Sequence, residues 1–473
     1  MSYPLEPNAI EMHRLVNAAM QKIVAHIESL PAQPAINVEG ATEFARTLIE
    51  PLPTHGESWE TLLDFLFDEA IPRSFTAAGP GYLAYVPGGG IFHSAIADLI
   101  ADAVNRYVGV CAAAPALVQL EANVVRWFCD IVGFPRGSGG VLTSGGSLAN
   151  LIAVVTARKA MLPDDFLRGT VYCSNQIHHS FQKAANLAGF PYANIRELPV
   201  DEKFRIRIDA LEEAIERDRR DGWTPFLVAG SAGTTPTGAV DDLTELARIA
   251  REQKLWFHID GAYGALFALT ERGRSVLKGM EQADSLILDP HKTLFLPFGT
   301  GALLVRDANA LRRAHSSHAD YLPDMQQSDD LVDFCEISPE LSRDFRGLRV
   351  WLPLKLFGID PFRAQLDEKL DLIQYAVGEL RKIEGIEIVA EPELTITAFR
   401  LTKSGLTDAE LNVLNRSVLE RIVAKKRVML THAIIDGRFV IRIAIVSHRT
   451  HEDRVEMALE DIREACASLS SRA

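Results

Sequence analysis

Cysteine is scarce in this sequence. The five present, Cys111, Cys129, Cys173, Cys335 and Cys466, are an odd and widely scattered set. They form no CxxC pair and no metal-ligand spacing, which argues against a disulfide framework or zinc module and points to a reduced, cytoplasmic setting. HExxH and spaced carboxylate sets are missing too, so no metal is expected. No apolar run approaches the roughly 20 residues that span a bilayer. Residues 1–15 carry Glu6 and Glu11 and no continuous apolar core, unlike a secretory signal. There is no excess of positive charge. Lysine plus arginine number 49 against 63 aspartate plus glutamate, a net charge of −14, which disfavours nucleic acid and anionic membranes as partners. Internal repeats and low-complexity tracts are likewise absent.

What is there is an ordinary globular composition, 47% hydrophobic and 24% charged in 473 residues, long enough for more than one core. Residues 8–30 read as a helix. Met12, Leu15, Val16, Ala19, Met20, Ile23 and Ile27 fall at three- and four-residue steps, and Pro31 follows. Trp59 to Ile71 reads as a second helix. From about residue 85 to 345 short apolar runs alternate with amphipathic stretches, with strands expected at 139–144, 169–174, 225–233, 255–262, 284–289 and 301–307. That alternation implies an α/β domain with a mostly parallel sheet. After Trp351 the pattern changes. A helix marked by Leu366, Leu370, Ile373, Val377 and Leu380 precedes the apolar segments IEIVA and TITAFRLT. A hairpin turning at Asp436-Gly437 and a helix over 451–468 follow. The expected organisation is an N-terminal helical arm (1–84), a large α/β domain (85–345) and a smaller α+β domain (346–473).

Four short patterns carry chemistry, and each also has a plain structural explanation. Thr143 to Asn150, TSGGSLAN, ends a strand and opens a helix. Free backbone N–H groups and the helix dipole suit a phosphate there, with Gly145 and Gly146 permitting close approach; a serine cap after a glycine turn reads the same way. Asp260, in HIDGAY, ends an apolar strand, where α/β sheets hold ligands. A carboxylate there pairs with a protonated ring nitrogen such as that of pyridoxal phosphate (PLP), and Gly261 and Ala262 admit a flat ring; it is equally a helix cap. Lys292, in DPHK, directly follows another apolar strand, an unusual place for a surface lysine, and an amine there condenses with an aldehyde. His178 and His179 follow a third strand. They read as a ring-stacking imidazole, as polar loop residues, or with Cys173 as an incomplete metal set.

In this order the patterns closely resemble the group II PLP-dependent decarboxylases, the family of aromatic-L-amino-acid, histidine and glutamate decarboxylases, over nearly the whole chain. DPHK followed by a strand ending at Val305-Arg306 is the most specific piece. The resemblance implies the PLP-dependent transferase fold of type I, PLP as cofactor, and an L-amino acid, aromatic favoured, as substrate. It also implies a homodimer with shared active sites. Lys292 looks like the Schiff-base lysine, Asp260 like the partner of the ring nitrogen, His178 like the histidine on the ring and Ala262 like the small residue behind it. Gly145, Gly146 and Ser147 resemble the phosphate cup, with His291 adding to it and Thr234 or Thr235 close by. Tyr321, in ADYL, is similar to the loop tyrosine that returns a proton once carbon dioxide has left. Relatives that oxidise amines to aldehydes carry phenylalanine there, so Tyr321 favours simple decarboxylation. Tyr85, Pro87 and Val110 correspond to the substrate wall, Val110 from the dimer interface. Arg442 resembles an arginine facing the substrate carboxylate, or is a structural arginine of the hairpin.

The sequence also departs from the family pattern. Asp289 stands where animal aromatic decarboxylases have Asn, and Thr293 where Trp is usual. Val86 and Gly88 are smaller than their counterparts, Ala77 falls near an expected Trp, and Val110 and Cys111 take positions of Phe and Trp. A wall with less aromatic bulk admits an indole or a different side chain. Three readings follow. They are an L-amino-acid decarboxylase, another PLP reaction such as transamination or amine oxidation, and a non-catalytic scaffold. The presence of Lys292, Asp260, His178 and Tyr321 together argues against the scaffold.

Overall fold

The computed structural model describes residues 5–86, 88–316 and 331–470; Pro87 and Tyr321 lie outside these residues. Seven segments form one sheet: β1 (Gly139–Thr143), β2 (Gly169–Ser174), β3 (Ile195–Leu198), β4 (Thr224–Ser231), β5 (Trp256–Asp260), β6 (Ser285–Leu288) and β7 (Gly301–Val305). The order is β1-β7-β6-β5-β4-β2-β3. All neighbours are parallel except β7, which runs against both β1 and β6. Strands covered on both faces need apolar residues at every position. Leu142, Leu286, Leu288 and Leu304 enter the core on one face, and Val141, Ile287, Leu303 and Val305 enter the other. The expected strands fall where the apolar runs placed them. β3 is additional: its middle residues are Arg196 and Glu197, so no apolar run marks it.

A second, antiparallel sheet has the order β10-β11-β9-β8, from β8 (Ile386–Ala390), β9 (Ile396–Leu401), β10 (Thr431–Ile435) and β11 (Arg438–Ala444). The hairpin turns at Asp436 and Gly437 with φ of 49° and 76°, the left-handed pair a tight two-residue loop requires. Residues of the helices Asp360–Leu380, Asp408–Ala424 and Glu452–Ser470 complete the core of this sheet. The apolar segment from Arg427 becomes strand only at Thr431. Before that, Met429 exchanges backbone hydrogen bonds with the end of the N-terminal segment, to Gly81 O at 2.9 Å and from Leu83 N at 3.0 Å. Leu83 is buried in the smaller sheet's core, so the N-terminal segment is stitched to that sheet.

The expected N-terminal helix spans Ala9–Ser29 and buries none of its residues. The second expected helix is α-helical over Trp59–Asp64 and continues as a π-helix over Phe65–Ala70. Among the described residues no helix is long and apolar enough to cross a membrane.

Candidate active site

Because every strand but β7 points one way, the carboxyl ends of β1, β2, β4, β5 and β6 open on the same edge of the sheet, where ligands bind in such folds. One cavity there is lined by Gly146 and Ser147 after β1, His178 and Ser180 after β2, and Thr234 and Thr235 after β4. Asp260 and Ala262 line it from β5, and Asp289 and Lys292 from β6. Gly145 and His291 stand together beside it: a Cβ on Gly145 would meet His291 Cε1 at 3.5 Å. The 16-residue helix Gly146–Met161 has no side-chain cap, so its first backbone N–H groups remain available to an anion.

Asp260 is held by the scaffold. Its Oδ1 accepts from the Ala262 backbone N–H at 3.3 Å and its Oδ2 from Asn150 Nδ2 at 3.2 Å. His178 Nδ1 accepts from the Ser180 backbone N–H at 3.4 Å and lies 2.7 Å from the Ser180 hydroxyl, which leaves the ring proton on Nε2. Burial is the largest influence on His178 and pushes it below the usual imidazole range, toward the neutral form.

Lys292 sits in the short helix Pro290–Thr293, with Nζ 3.3 Å from Asp289 Oδ2. Asp289 Oδ1 is buried and has no partner among the described residues. His291 Nδ1 donates to Thr300 O at 2.6 Å, and burial pushes this imidazole down as well. A glycine strap lies across the lysine's backbone: a Cβ on Gly88 would come within 2.3 Å of His291 O and 2.6 Å of Lys292 O. Gly88 is therefore required by close packing, which corrects its reading as lost bulk in the substrate wall. Arg449 holds the strap through Gly89 O and Gly90 O, and His448 Nδ1 is 3.2 Å from Gly88 O.

Three of the residues expected at the substrate side lie apart from the lining set. Tyr85 is 52% exposed, stacks on Tyr82 and adopts a φ of 54°, a strained value for a tyrosine. Arg442 is buried; its Nε donates to Pro236 O at 3.0 Å and its Nη1 to Thr431 Oγ1 at 3.1 Å. It thus joins the loop after β4 to β10, while Nη2 is without a partner among the described residues and burial pushes the guanidinium down to about 10. Val110 is buried within this chain. Pro87 and Tyr321 fall outside the described residues. The site also contains residues given no role from the sequence. Asn150, His258 and Asp289 lie inside the quoted motifs and Ser180 directly follows the His178-His179 pair, but only contacts between distant elements reveal what they do.

A lysine amine, a carboxylate fixed as an acceptor, hydroxyls and an uncapped helix start share this one cavity. The model of the pyridoxal-dependent decarboxylase conserved domain matches residues 43–402. This chain belongs to that family. The decarboxylase is 33% identical over 472 residues to an aromatic-L-amino-acid decarboxylase of Bacillus atrophaeus, covering 99% of this chain and 98% of that protein. A solved Oryza sativa TDC with PLP and tryptamine superposes with a TM-score of 0.93 at 26% identity, over 99% of this chain and 100% of that one. Rhodiola rosea 4-hydroxyphenylacetaldehyde synthase has the same fold, with a TM-score of 0.91 at 24% identity over 98% and 99% of the two chains. The cofactor of the family is PLP, and the residues present fit it. A carboxylate fixed as an acceptor for a protonated ring nitrogen, an uncapped helix start for a phosphate and a lysine amine for an aldehyde are what PLP needs.

Proposed function

We propose that this enzyme decarboxylates an aromatic L-amino acid to the corresponding amine and carbon dioxide. Bound in the cavity, PLP supplies an aldehyde and an electron-accepting ring. Lys292 is the amine that attaches it. Asp260 keeps a proton on the ring nitrogen with the lone pairs that Asn150 and Ala262 leave free, and His178 and Ala262 are assigned to the two ring faces. Ser147, Thr234, Thr235 and His291 take the phosphate together with Gly145 and Gly146 at the helix start. Tyr85, Pro87 and Val110 are assigned to the substrate side chain, the unpartnered Nη2 of Arg442 to its carboxylate, and Tyr321 to proton return at the substrate carbon. The observation that carries this reading is the convergence of Lys292, Asp260, His178 and the uncapped helix from four strand ends on one cavity. The aromatic preference is supported by the kinship with the Bacillus enzyme and the rice TDC.

The reading extends to a cytoplasmic homodimer. It is supported by the exposed Leu99, Ile100 and Val104 of helix Phe92–Val104 and by Ile10 and Val16 of the N-terminal helix, since clustered exposed apolar residues mark interfaces. Five cysteines free of disulfides accord with a reducing compartment. The test is a product screen of the PLP-loaded protein against each L-amino acid, with amines, keto acids and aldehydes quantified. Amine from aromatic substrates, abolished by Lys292→Ala and sharply reduced by Tyr321→Phe, is the expected result. Aldehyde with peroxide, or keto acid, in place of amine overturns it; the shared fold of the Rhodiola enzyme makes that comparison necessary.

A further inference from the structure

Behind Asp260 runs a buried row of polar side chains that the reaction itself does not use. Its members are Trp256, Ser285, His258, Asn150 and Ser180. Trp256, His258 and Asp260 are alternate residues of β5 and so share one face of the sheet, the face covered by helix Gly146–Met161 that carries Asn150. Their exposures run from 0% for Asn150, His258 and Ser285 to 8% for Trp256.

The donors and acceptors of this row admit one assignment. A carboxylate only accepts, so the atom of Asn150 that lies 3.2 Å from Asp260 Oδ2 is its amide nitrogen. Asn150 Oδ1 then faces His258 Nε2 at 2.9 Å, and that nitrogen carries the ring proton. Burial holds His258 down to about 4, so the imidazole is neutral and Nδ1 accepts. Its partner at 2.8 Å is the Ser285 hydroxyl, which donates, while the Ser285 oxygen accepts the indole N–H of Trp256 at 2.8 Å. Toward the cavity, Asn150 Nδ2 also donates to Ser180 Oγ at 3.1 Å, and Ser180 donates to His178 Nδ1. No atom of the row is left without a partner. One amide, oriented from behind by His258, is the branch point to both Asp260 and His178.

We propose that Asn150, oriented by His258 and Ser285, is a positioning residue that holds Asp260 and His178 about the cofactor ring in a single arrangement of protons. The inference rests on the assignment of those two residues to the ring. Donation from Asn150 and Ala262 leaves Asp260 a pure acceptor toward the cavity, which favours the proton on the ring nitrogen over the carboxyl. The titratable groups facing the branch point are Asp260 and His258 of β5 and, through Ser180, His178; Lys292 and Asp289 act on His178 from the end of β6.

The test uses holoenzyme loaded with PLP carrying nitrogen-15 in the ring, and compares Asn150→Leu, Asn150→Asp and the reference Asp260→Asn. In Asn150→Leu the ring-nitrogen resonance is expected to move toward the unprotonated form at every pH. The kcat should fall about 10- to 100-fold, the loss expected when a hydrogen bond to a charged group is removed, with KM little changed. In Asn150→Asp the same shape places a carboxylate against Asp260. Resonance and kcat should be displaced at high pH and return toward wild type as the pH falls, because a protonated carboxyl donates where the amide did. Should Asn150→Leu not fold, His258→Leu and His258→Gln take its place. The glutamine amide is able to donate to Asn150 Oδ1 and should rescue what leucine loses. If Asp260→Asn moves the resonance but the Asn150 variants leave it and the pH profile unchanged, Asn150 only packs and the inference is overturned alone. If Asp260→Asn itself does not move the resonance, the ring assignment fails and the inference fails with it.

Discussion

Asp260 and Asp289 end adjacent strands on the same cavity, yet their surroundings are opposite. Both oxygens of Asp260 accept from groups fixed in the scaffold, the Ala262 N–H and the Asn150 amide. Asp289 is the less exposed of the two, 2% against 8%, and the less satisfied. Its Oδ1 has no partner among the described residues, and its Oδ2 meets the amine of Lys292. Buried polar groups in native proteins are normally paired, so the contrast separates two jobs. A carboxylate whose scaffold-side lone pairs are taken is a fixed reference for whatever binds. One whose partner is the reacting lysine changes its surroundings whenever that lysine reacts.

Making the same exchange at both positions is the most direct way to break this comparison, and the larger effect is expected at Asp260. Asp260→Asn puts an NH2 against either the Ala262 N–H or the Asn150 amide, donor against donor, and weakens the acceptor for the ring proton. Its kcat should fall on the order of 10²- to 10³-fold, as for loss of a preorganised electrostatic group. Urea unfolding of the cofactor-free protein should show a loss of about 1–3 kcal/mol from the unpaired donor. A reduction in kcat below tenfold would mean that the ring nitrogen does not depend on this residue.

Legibility in the sequence divides along the same line. Strands covered on both faces show as apolar runs, so six of the seven strands of the large sheet stand out, as do the residues that end or follow them: Asp260, Lys292 and His178. β3 is hidden because Arg196 and Glu197 occupy half of it. The reversal of β7 is hidden because direction leaves no mark in an apolar run. Asn150 and His258 are 108 residues apart in the chain; each is visible inside a motif, but their contact depends on how a helix lies on the sheet. Gly88 misleads in sequence for a similar reason. Its size is dictated by the backbone of His291 and Lys292 beneath it, which nothing near it in sequence reveals.

An intermediate effect is expected from acid, and it sharpens the picture of Asp260 as the fixed partner. His258, the support behind Asn150, has its pKa lowered from 6.5 to about 4 by burial. The unfolded chain therefore binds a proton before the folded one does. The stability that the neutral imidazole contributes is complete above pH 6.5, declines as the pH falls, and is gone below about 4. For one histidine the decline amounts to at most about 3 kcal/mol. Unfolding free energies of cofactor-free wild type and His258→Gln across that window measure it, and the variant should lose this part of the slope. His448, held to about 4 beneath the glycine strap, adds a second acid-sensitive step that His258→Gln leaves in place. An equally steep acid profile in wild type and variant would remove His258 from the account.

The smallest effect is expected from Asp289→Asn. The exchange keeps the shape, and the amide nitrogen takes the position of Oδ1, where no donor opposes it. The oxygen that remains still faces Lys292 Nζ across the 3.3 Å gap. What is lost is the charge of a pair whose lysine side chain is 23% exposed, so solvent screens part of it and the cofactor-free protein should change by no more than about 1 kcal/mol. Relief of an unpaired buried anion acts in the opposite direction. With PLP saturating, kcat should stay within a few-fold of wild type, in contrast to the much larger loss at Asp260. Steady-state decarboxylation of the two asparagine variants side by side decides the matter. Equal losses would place Asp289 among the groups the reaction needs, and the two carboxylates would no longer be distinguished by how the scaffold satisfies them.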